Sequence, residues 1–217
     1  MERLVCLVIG YVFGLFQTGY IYGRLHGIDI RNYGSGNAGT TNMLRTLGTG
    51  AGAVTLLGDA FKCVIAVMVT RMIFRSTQGD ILPLLGLYTA AGVILGHNFP
   101  FYLHFRGGKG IAATAGLILS MDPIMTLIAL AVFVATLFLT HYVSLGSLLV
   151  YICFMAELLV FGQSGAFAME QRYLNEMYIL GGFLMLLAFW MHRQNIKRLL
   201  HGEERRTYLF KKKSETK

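Results

Sequence analysis

The stretch Ala51-Gly52-Ala53-Val54-Thr55-Leu56-Leu57-Gly58-Asp59-Ala60-Phe61-Lys62-Cys63-Val64-Ile65-Ala66-Val67-Met68-Val69-Thr70-Arg71-Met72-Ile73-Phe74 decides the architecture of this chain. Apart from Asp59, Lys62 and Arg71 it carries no charge, and most of its side chains are apolar or small. Rising about 1.5 Å per residue, such a helix would run about 36 Å, longer than the roughly 30 Å hydrocarbon core of a bilayer. Asp59 and Lys62 are three positions apart, so a helix places them on one face, where they can pair. Charges inside a span are costly and face a protein interior or a wet cavity. A structural ion pair is the first reading of these two, and a substrate contact the second.

Similar runs lie on both sides of it, over residues 4–22, 81–95, 111–121, 124–140 and 177–191, with a further run opened by the polar junction His141-Tyr142-Val143-Ser144 and ending near Phe161. Hydrophobic residues make up 55% of the 217 and charged residues only 14%, against about a quarter charged in soluble domains. The expectation is an all-α integral membrane protein with seven transmembrane helices in residues 1–191. Residues 192–217 are expected to form a cytoplasmic basic tail whose first part completes a site and whose end, Lys211-Lys212-Lys213, reads as a disordered basic run. The first run is too long for the core of a secretory signal and lacks a small-residue cleavage site, so it is read as a retained span. Residues 111–121 are short for a span unless their helix begins inside the preceding glycine loop. Glu157, inside the sixth run, has no partner that the sequence names, and residues 163–176 read as the longest loop on their side. Cys6, Cys63 and Cys153 sit in apolar runs without metal-type spacing and read as buried packing thiols.

Seven spans alternate the polar segments between two faces. One face receives fourteen of the lysines and arginines, and the other receives only Arg3, Arg71, Arg75 and Arg172. Positive charge marks the cytoplasmic side, so the N-terminus is expected outside and the C-terminus inside. The net charge of +8 then signals orientation and attraction to anionic lipid, with no nucleic-acid partner.

Two polar stretches share that cytoplasmic face. The first, Arg31-Asn32-Tyr33-Gly34-Ser35-Gly36-Asn37-Ala38-Gly39-Thr40-Thr41-Asn42-Met43-Leu44-Arg45, combines glycines, neutral donors and flanking cations. It suits an oxygen-rich anion, most simply phosphate, although an ordinary polar loop has the same composition. The second, Gly107-Gly108-Lys109-Gly110, precedes the helix-forming Ile111-Ala112-Ala113, which would aim free N–H groups and a lysine at an anion. Its glycine spacing is not that of a Walker A loop. No histidine has an aspartate five positions on, which removes the His-x4-Asp acyltransferase dyad, and no cluster has metal spacing. Neither metal nor cofactor is expected. A site of this kind at a membrane face suits joining a water-soluble phosphate compound to a lipid chain.

The sequence resembles the bacterial integral-membrane acyl-phosphate:glycerol-3-phosphate acyltransferases, the PlsY type. The resemblance rests on residues 35–45, on Gly96-His97-Asn98-Phe99-Pro100 with Phe105-Arg106-Gly107-Gly108-Lys109-Gly110, and on His192-Arg193-Gln194-Asn195-Ile196-Lys197-Arg198-Leu199 with Gly202 and Glu204. It extends to Ser144 in the fifth loop. Thr40 stands where the family usually has alanine and Arg206 where it usually has lysine. The resemblance implies transfer of a fatty acyl group from acyl phosphate to the 1-hydroxyl of glycerol 3-phosphate, giving lysophosphatidic acid and phosphate in the bacterial cytoplasmic membrane.

Both substrates carry phosphate, so Arg45 and Lys109 are the expected clamps, helped by Ser35, Asn37 and the amides of Gly107, Gly108 and Gly110. His192, assisted by Asn195, is the candidate base for the attacking hydroxyl. The competing account has a phosphate oxygen take the proton while His192 positions glycerol phosphate. Ser35 as a covalent acyl carrier is a further option without a neighbouring base in sequence. Asn42, His97, Ser144, Arg193 and Glu204 complete the expected substrate-binding set. For several there is a plainer reading: His97 as a staple of the loop, Asn37 and Asn42 as Asx turns, and Glu204 as the partner of Arg193 or Arg198. A transporter for an anionic phosphate compound is the alternative from another class, since glycine-interrupted spans and intramembrane charges also fit it.

Overall fold

The computed structural model of the protein describes residues 1–208. The Lys211-Lys212-Lys213 run lies outside the described residues. Within them the chain is all-helical, without a strand. The helices are α1 (Glu2–Gly14), α2 (Thr18–Leu25), α3 (Thr40–Leu47), α4 (Thr49–Phe74), α5 (Leu82–Asn98), α6 (Ile111–Met121), α7 (Pro123–Thr140), α8 (Val143–Gln163), α9 (Gln171–Met191) and α10 (Arg193–Leu200). Six helical segments are long and apolar enough to cross a membrane, with α1 and α2 together forming the first. The protein is a multi-pass membrane protein.

Several expected boundaries move. The first run is interrupted between α1 and α2, and three side chains take up the carbonyls the interruption frees. Gln17 Nε2 donates to Gly14 O at 3.1 Å, Tyr102 Oη to Leu15 O at 2.7 Å, and Lys62 Nζ to Phe16 O at 2.6 Å. Backbone without such partners does not persist at membrane depth. Half of residues 163–176 is helical, because α8 runs to Gln163 and α9 starts at Gln171, so the expected loop shrinks to residues 164–170. Residues 40–45 of the first polar stretch belong to α3 and are not loop. α6 starts at Ile111, with Gly110 at φ +82° ahead of it, and does not extend into the glycine loop. At 11 residues it covers only about 16 Å.

α1 and α5 make the closest helix pair, and small residues explain it. Gly10 and Gly14 face Gly92 and Gly96, four residues apart on each helix. A Cβ on Gly10 would stand 1.9 Å from Thr89 O, and one on Gly92 would stand 2.2 Å from Leu7 O. Backbone-to-backbone approach of this kind is how helices associate where apolar burial gives no driving force. α7 opens on Asp122, whose carboxylate accepts from the Ile124 amide at 2.6 Å, followed by Pro123 in the first turn.

The loops sort to two ends of the bundle. At one end Arg3 pairs with Glu176, which also accepts from Tyr88 Oη at 2.7 Å. At the other end the segments after α2, α5, α7 and α9 meet. Arg31 donates to Leu103 O at 3.3 Å, the Thr207 amide to His141 O at 2.8 Å, and Arg45 reaches Arg205 O at 3.1 Å.

Candidate active site

The glycine loop is seated on the C-terminal end of α5 by its own backbone. The Gly107 amide donates to Asn98 O at 3.2 Å and the Gly108 amide to His97 O at 3.0 Å. These two N–H groups are therefore spent on the fold, which corrects the expectation that they face a ligand. A Cβ on Gly108 would lie 2.0 Å from His97 Nε2, so only glycine lets the loop rest on that ring. No side chain caps α6 among the described residues, so its first amides remain open as donors.

Lys109 leaves the loop toward the C-terminal segment and donates from Nζ to Asn195 Oδ1 on α10. Asn195 passes the contact on, giving its amide to Glu204 Oε1 at 2.7 Å. Ser144 Oγ, in the first turn of α8, donates to the same oxygen at 3.0 Å, and Arg198 Nε holds the other carboxylate oxygen at 2.7 Å. Burial pushes the Glu204 carboxyl up, but the bonds from Arg198, Asn195 and Ser144 outweigh it and hold it below the usual range. Burial, and then the nearby Arg198 charge, bring Lys109 down to about 8. Lys109 is thus a cation at neutral pH with a readily withdrawn proton.

His192 is 3% exposed and begins the turn between α9 and α10. Its Nδ1 lies 2.8 Å from Ala188 O, a contact only the Nδ1–H tautomer satisfies as a hydrogen bond. Nε2 is then left as an acceptor. Burial and the Lys109 charge lower this imidazole to about 4, so it is neutral at physiological pH.

The first polar stretch is organised by Asn42, which is 3% exposed. Its amide donates to Ile30 O, Tyr33 O and Asn37 O at 3.2, 3.0 and 2.9 Å, and its carbonyl accepts from the Ser35 amide at 3.0 Å. Every polar atom of Asn42 is engaged, so its expected substrate contact becomes a loop-forming role. Asn37 Oδ1 accepts from the Gly39 amide at 2.9 Å, an Asx turn. Ser35 is exposed. Arg45 is held by Arg205 O and Thr207 Oγ1. Arg193 departs from expectation: it is exposed, its guanidinium lies 4.5 Å over the Trp190 ring, and it donates to Trp190 O at 3.0 Å. It stands on the aromatic flank and makes no bond within the Lys109–Asn195–Glu204 chain.

Beneath the loop, Asp59 and Lys62 pair at 2.7 Å, as their spacing predicts. Thr18 Oγ1 donates to the same Asp59 oxygen at 3.0 Å, and Lys62 Nζ lies 2.9 Å from Nδ1 of His97, which is 2% exposed. Lys62 is fully engaged by Asp59 Oδ1, Phe16 O and His97, whereas Asp59 Oδ2 has no partner among the described residues.

The sequence model described as glycerol-3-phosphate acyltransferase matches residues 4–202. The chain is 42% identical over 207 residues to the glycerol-3-phosphate acyltransferase of Clostridioides difficile (strain 630), covering 94% of each chain. The chain belongs to the glycerol-3-phosphate acyltransferase family.

A glycerol-3-phosphate acyltransferase of Thermus thermophilus is 40% identical over 202 residues, covering 92% of each chain. Among solved structures, the glycerol 3-phosphate form of PlsY (YgiH), an integral membrane glycerol 3-phosphate acyltransferase, superposes with TM-score 0.80 at 29% identity over 96% of each chain. Its lysophosphatidic acid form gives 0.78 at 28% identity over 96% of each chain. As a glycerol-3-phosphate acyltransferase family member the chain is a membrane acyltransferase of phospholipid synthesis. The family match stops at residue 202, so Glu204 and Thr207 close over the cluster from just beyond it. Sequence reading missed Thr207 as the holder of Arg45, and missed that Lys62 reaches His97. No spacing rule links residues 35 positions apart; only the α4–α5 packing does.

Proposed function

We propose that the protein transfers a fatty acyl group from acyl phosphate to the 1-hydroxyl of glycerol 3-phosphate, releasing inorganic phosphate. The observation that carries this reading is the chain of bonds from Lys109 through Asn195 to Glu204, set beside a neutral His192 and the open amides of α6. It offers cationic and amide donors for phosphate and an acceptor for a hydroxyl, in one place. The glycerol 3-phosphate and lysophosphatidic acid forms of PlsY support the acceptor and the product. A phosphate leaving group needs its charge stabilised more than it needs a proton, which a lysine and helix-terminal amides supply.

In this reading Lys109 and Arg45 clamp phosphate, with Ser35 at the rim. His192 Nε2 accepts a hydrogen bond from the attacking hydroxyl, and Asn195 holds Lys109. An imidazole brought to about 4 is a weaker base than a phosphate dianion, whose second pKa is about 6. The proton of the hydroxyl therefore passes to a phosphate oxygen as the new ester bond forms and the acyl–phosphate bond breaks. His192 orients the nucleophile. Ser35, with no base bonded to it among the described residues, is a binding group and not an acyl carrier.

The same reading gives the chain seven crossings, with the short α6 as one of them, the N-terminus outside and the site at the cytoplasmic face of the bacterial inner membrane. The excess of positive charge on the segments that meet at the site end supports it. Residues 1–191 then form the catalytic bundle, and the segment from residue 192 completes the site.

Purified protein in mild detergent, given palmitoyl phosphate and glycerol 3-phosphate, is expected to release phosphate and form lysophosphatidic acid, with little product from palmitoyl-coenzyme A. Equal use of the coenzyme A thioester would overturn the donor assignment.

A further inference from the structure

A short chain of hydroxyl groups ties the start of α6 to α8, and the reaction as described above does not use it. The Gly110 carbonyl accepts both donors of Thr114, the amide at 2.8 Å and Oγ1 at 2.9 Å. Thr114 Oγ1 is also bonded to Tyr151 Oη on α8. Thr114 has one hydroxyl hydrogen and a carbonyl can only accept, so Thr114 donates to Gly110 and Tyr151 donates to Thr114. Thr114 is 0% and Tyr151 1% exposed, so the chain is closed to solvent. Gly110 also lies against α5, where an added Cβ would stand 3.0 Å from both Asn98 Oδ1 and Ile94 Cγ2. The residue before α6 is therefore packed on α5 and bonded toward α8.

We propose that Tyr151 is a positioning residue that, through Thr114, fixes the plane of the Gly110–Ile111 peptide and so aims the Ile111 amide at the phosphate. The inference rests on the reading of the glycine loop and the α6 terminus as the phosphate site. A trans peptide is planar, and its C=O and N–H point in opposite directions. The two bonds on Gly110 O therefore set the direction of the Ile111 N–H, the first of the amides that α6 leaves open. Hydrogen bonds in a chain polarise one another, so the Tyr151 bond also strengthens this peptide as a donor. α8 carries a second tie. Ser144, seven residues or about two turns before Tyr151, donates to Glu204 at 3.0 Å. One helix thus sets the α6 terminus in register with the Lys109–Asn195–Glu204 chain.

The test joins steady-state kinetics in bilayer nanodiscs to the Ile111 amide signal of 15N-isoleucine-labelled protein, assigned by its loss in Ile111→Val. Tyr151→Phe removes only Oη, and Thr114→Val replaces the hydroxyl with a methyl group. Each should shift the Ile111 signal and raise the KM for glycerol 3-phosphate about fivefold, with a smaller change in kcat. The double variant should do no more than either single one, because both break the same chain. Thr114→Ser, which keeps the hydroxyl, should restore the native KM. An unmoved Ile111 signal overturns the proposal, as does Thr114→Ser behaving like Thr114→Val. A KM within twofold of native in both single variants, where Lys109→Ala abolishes activity, also overturns it. If Tyr151→Phe does not fold, Thr114→Val and Thr114→Ser decide the matter. An Ile111 signal that moves in both variants while Lys109→Ala turns over normally leaves the hold on the peptide standing and removes the phosphate reading of the loop instead.

Discussion

Two polar networks touch the same glycine loop from opposite sides, and they are built differently. The lower one, Thr18–Asp59–Lys62–His97, lies inside the bundle on α2, α4 and α5 and is nearly closed to solvent. The upper one, Lys109–Asn195–Glu204 with Ser144 and Arg198, lies on the glycine loop, the first turn of α8, α10 and the segment after it. Helices packed backbone to backbone hold the lower groups, so they fix geometry. The upper groups join a loop lysine to the C-terminal segment, and burial there lowers Lys109 to about 8. The loop between them is bonded to the end of α5 below and, through Lys109, to Asn195 above.

The largest expected effect comes from the upper side. Lys109→Ala removes the cation proposed to face the phosphate, and kcat/KM should fall about 1,000-fold in the phosphate-release assay. An effect under tenfold would move the phosphate site away from this loop. Gly108→Ala attacks the contact between the two networks, since its Cβ would meet His97 Nε2 at 2.0 Å. Displacement of the loop should lower kcat/KM about 100-fold with the thermal transition largely kept. Glu204→Gln leaves an acceptor for Ser144 and Asn195 but loses the charge that Arg198 pairs with. About a tenfold loss of kcat is expected, and a loss of membrane-inserted protein instead would mark Glu204 as a folding residue.

The pH profile separates the networks further. Lys109 is lowered to about 8 by burial and by Arg198, so the free enzyme loses this cation as pH rises through that value. Between pH 8 and 9 kcat/KM for glycerol 3-phosphate should fall up to about tenfold. A bound phosphate dianion favours the charged lysine, so kcat should hold to higher pH. A flat kcat/KM profile to pH 9.5 would contradict the upper network's role. Arg193→Ala carries the smallest effect, within about threefold, because this arginine stacks on Trp190 outside the cluster.

How far the sequence reveals this protein differs between the two networks. Hydrophobic run length identifies six of the seven expected spans, α6 being too short by length, and the i,i+3 spacing of Asp59 and Lys62 identifies their pair. A local pattern also marks the Asn37 turn. The interruption at residues 15–17 is not legible, because side chains distant in sequence satisfy its carbonyls, and neither proline nor a turn motif marks it. The Gly10/Gly14 and Gly92/Gly96 spacings are a usable sign of the α1–α5 contact, but only once the two helices are known to be partners. The assignment of Gly107 and Gly108 amides to a ligand fails for one reason: a glycine loop looks the same whether its N–H groups face a phosphate or the end of the preceding helix.

The central claim is that the glycine loop and Lys109 hold phosphate. Isothermal titration of glycerol 3-phosphate into the native protein and into Lys109→Met, both in nanodiscs, tests it most directly. The account predicts about 100-fold weaker binding in the variant, the loss of one buried charge-assisted contact. Equal affinity in folded protein would contradict it.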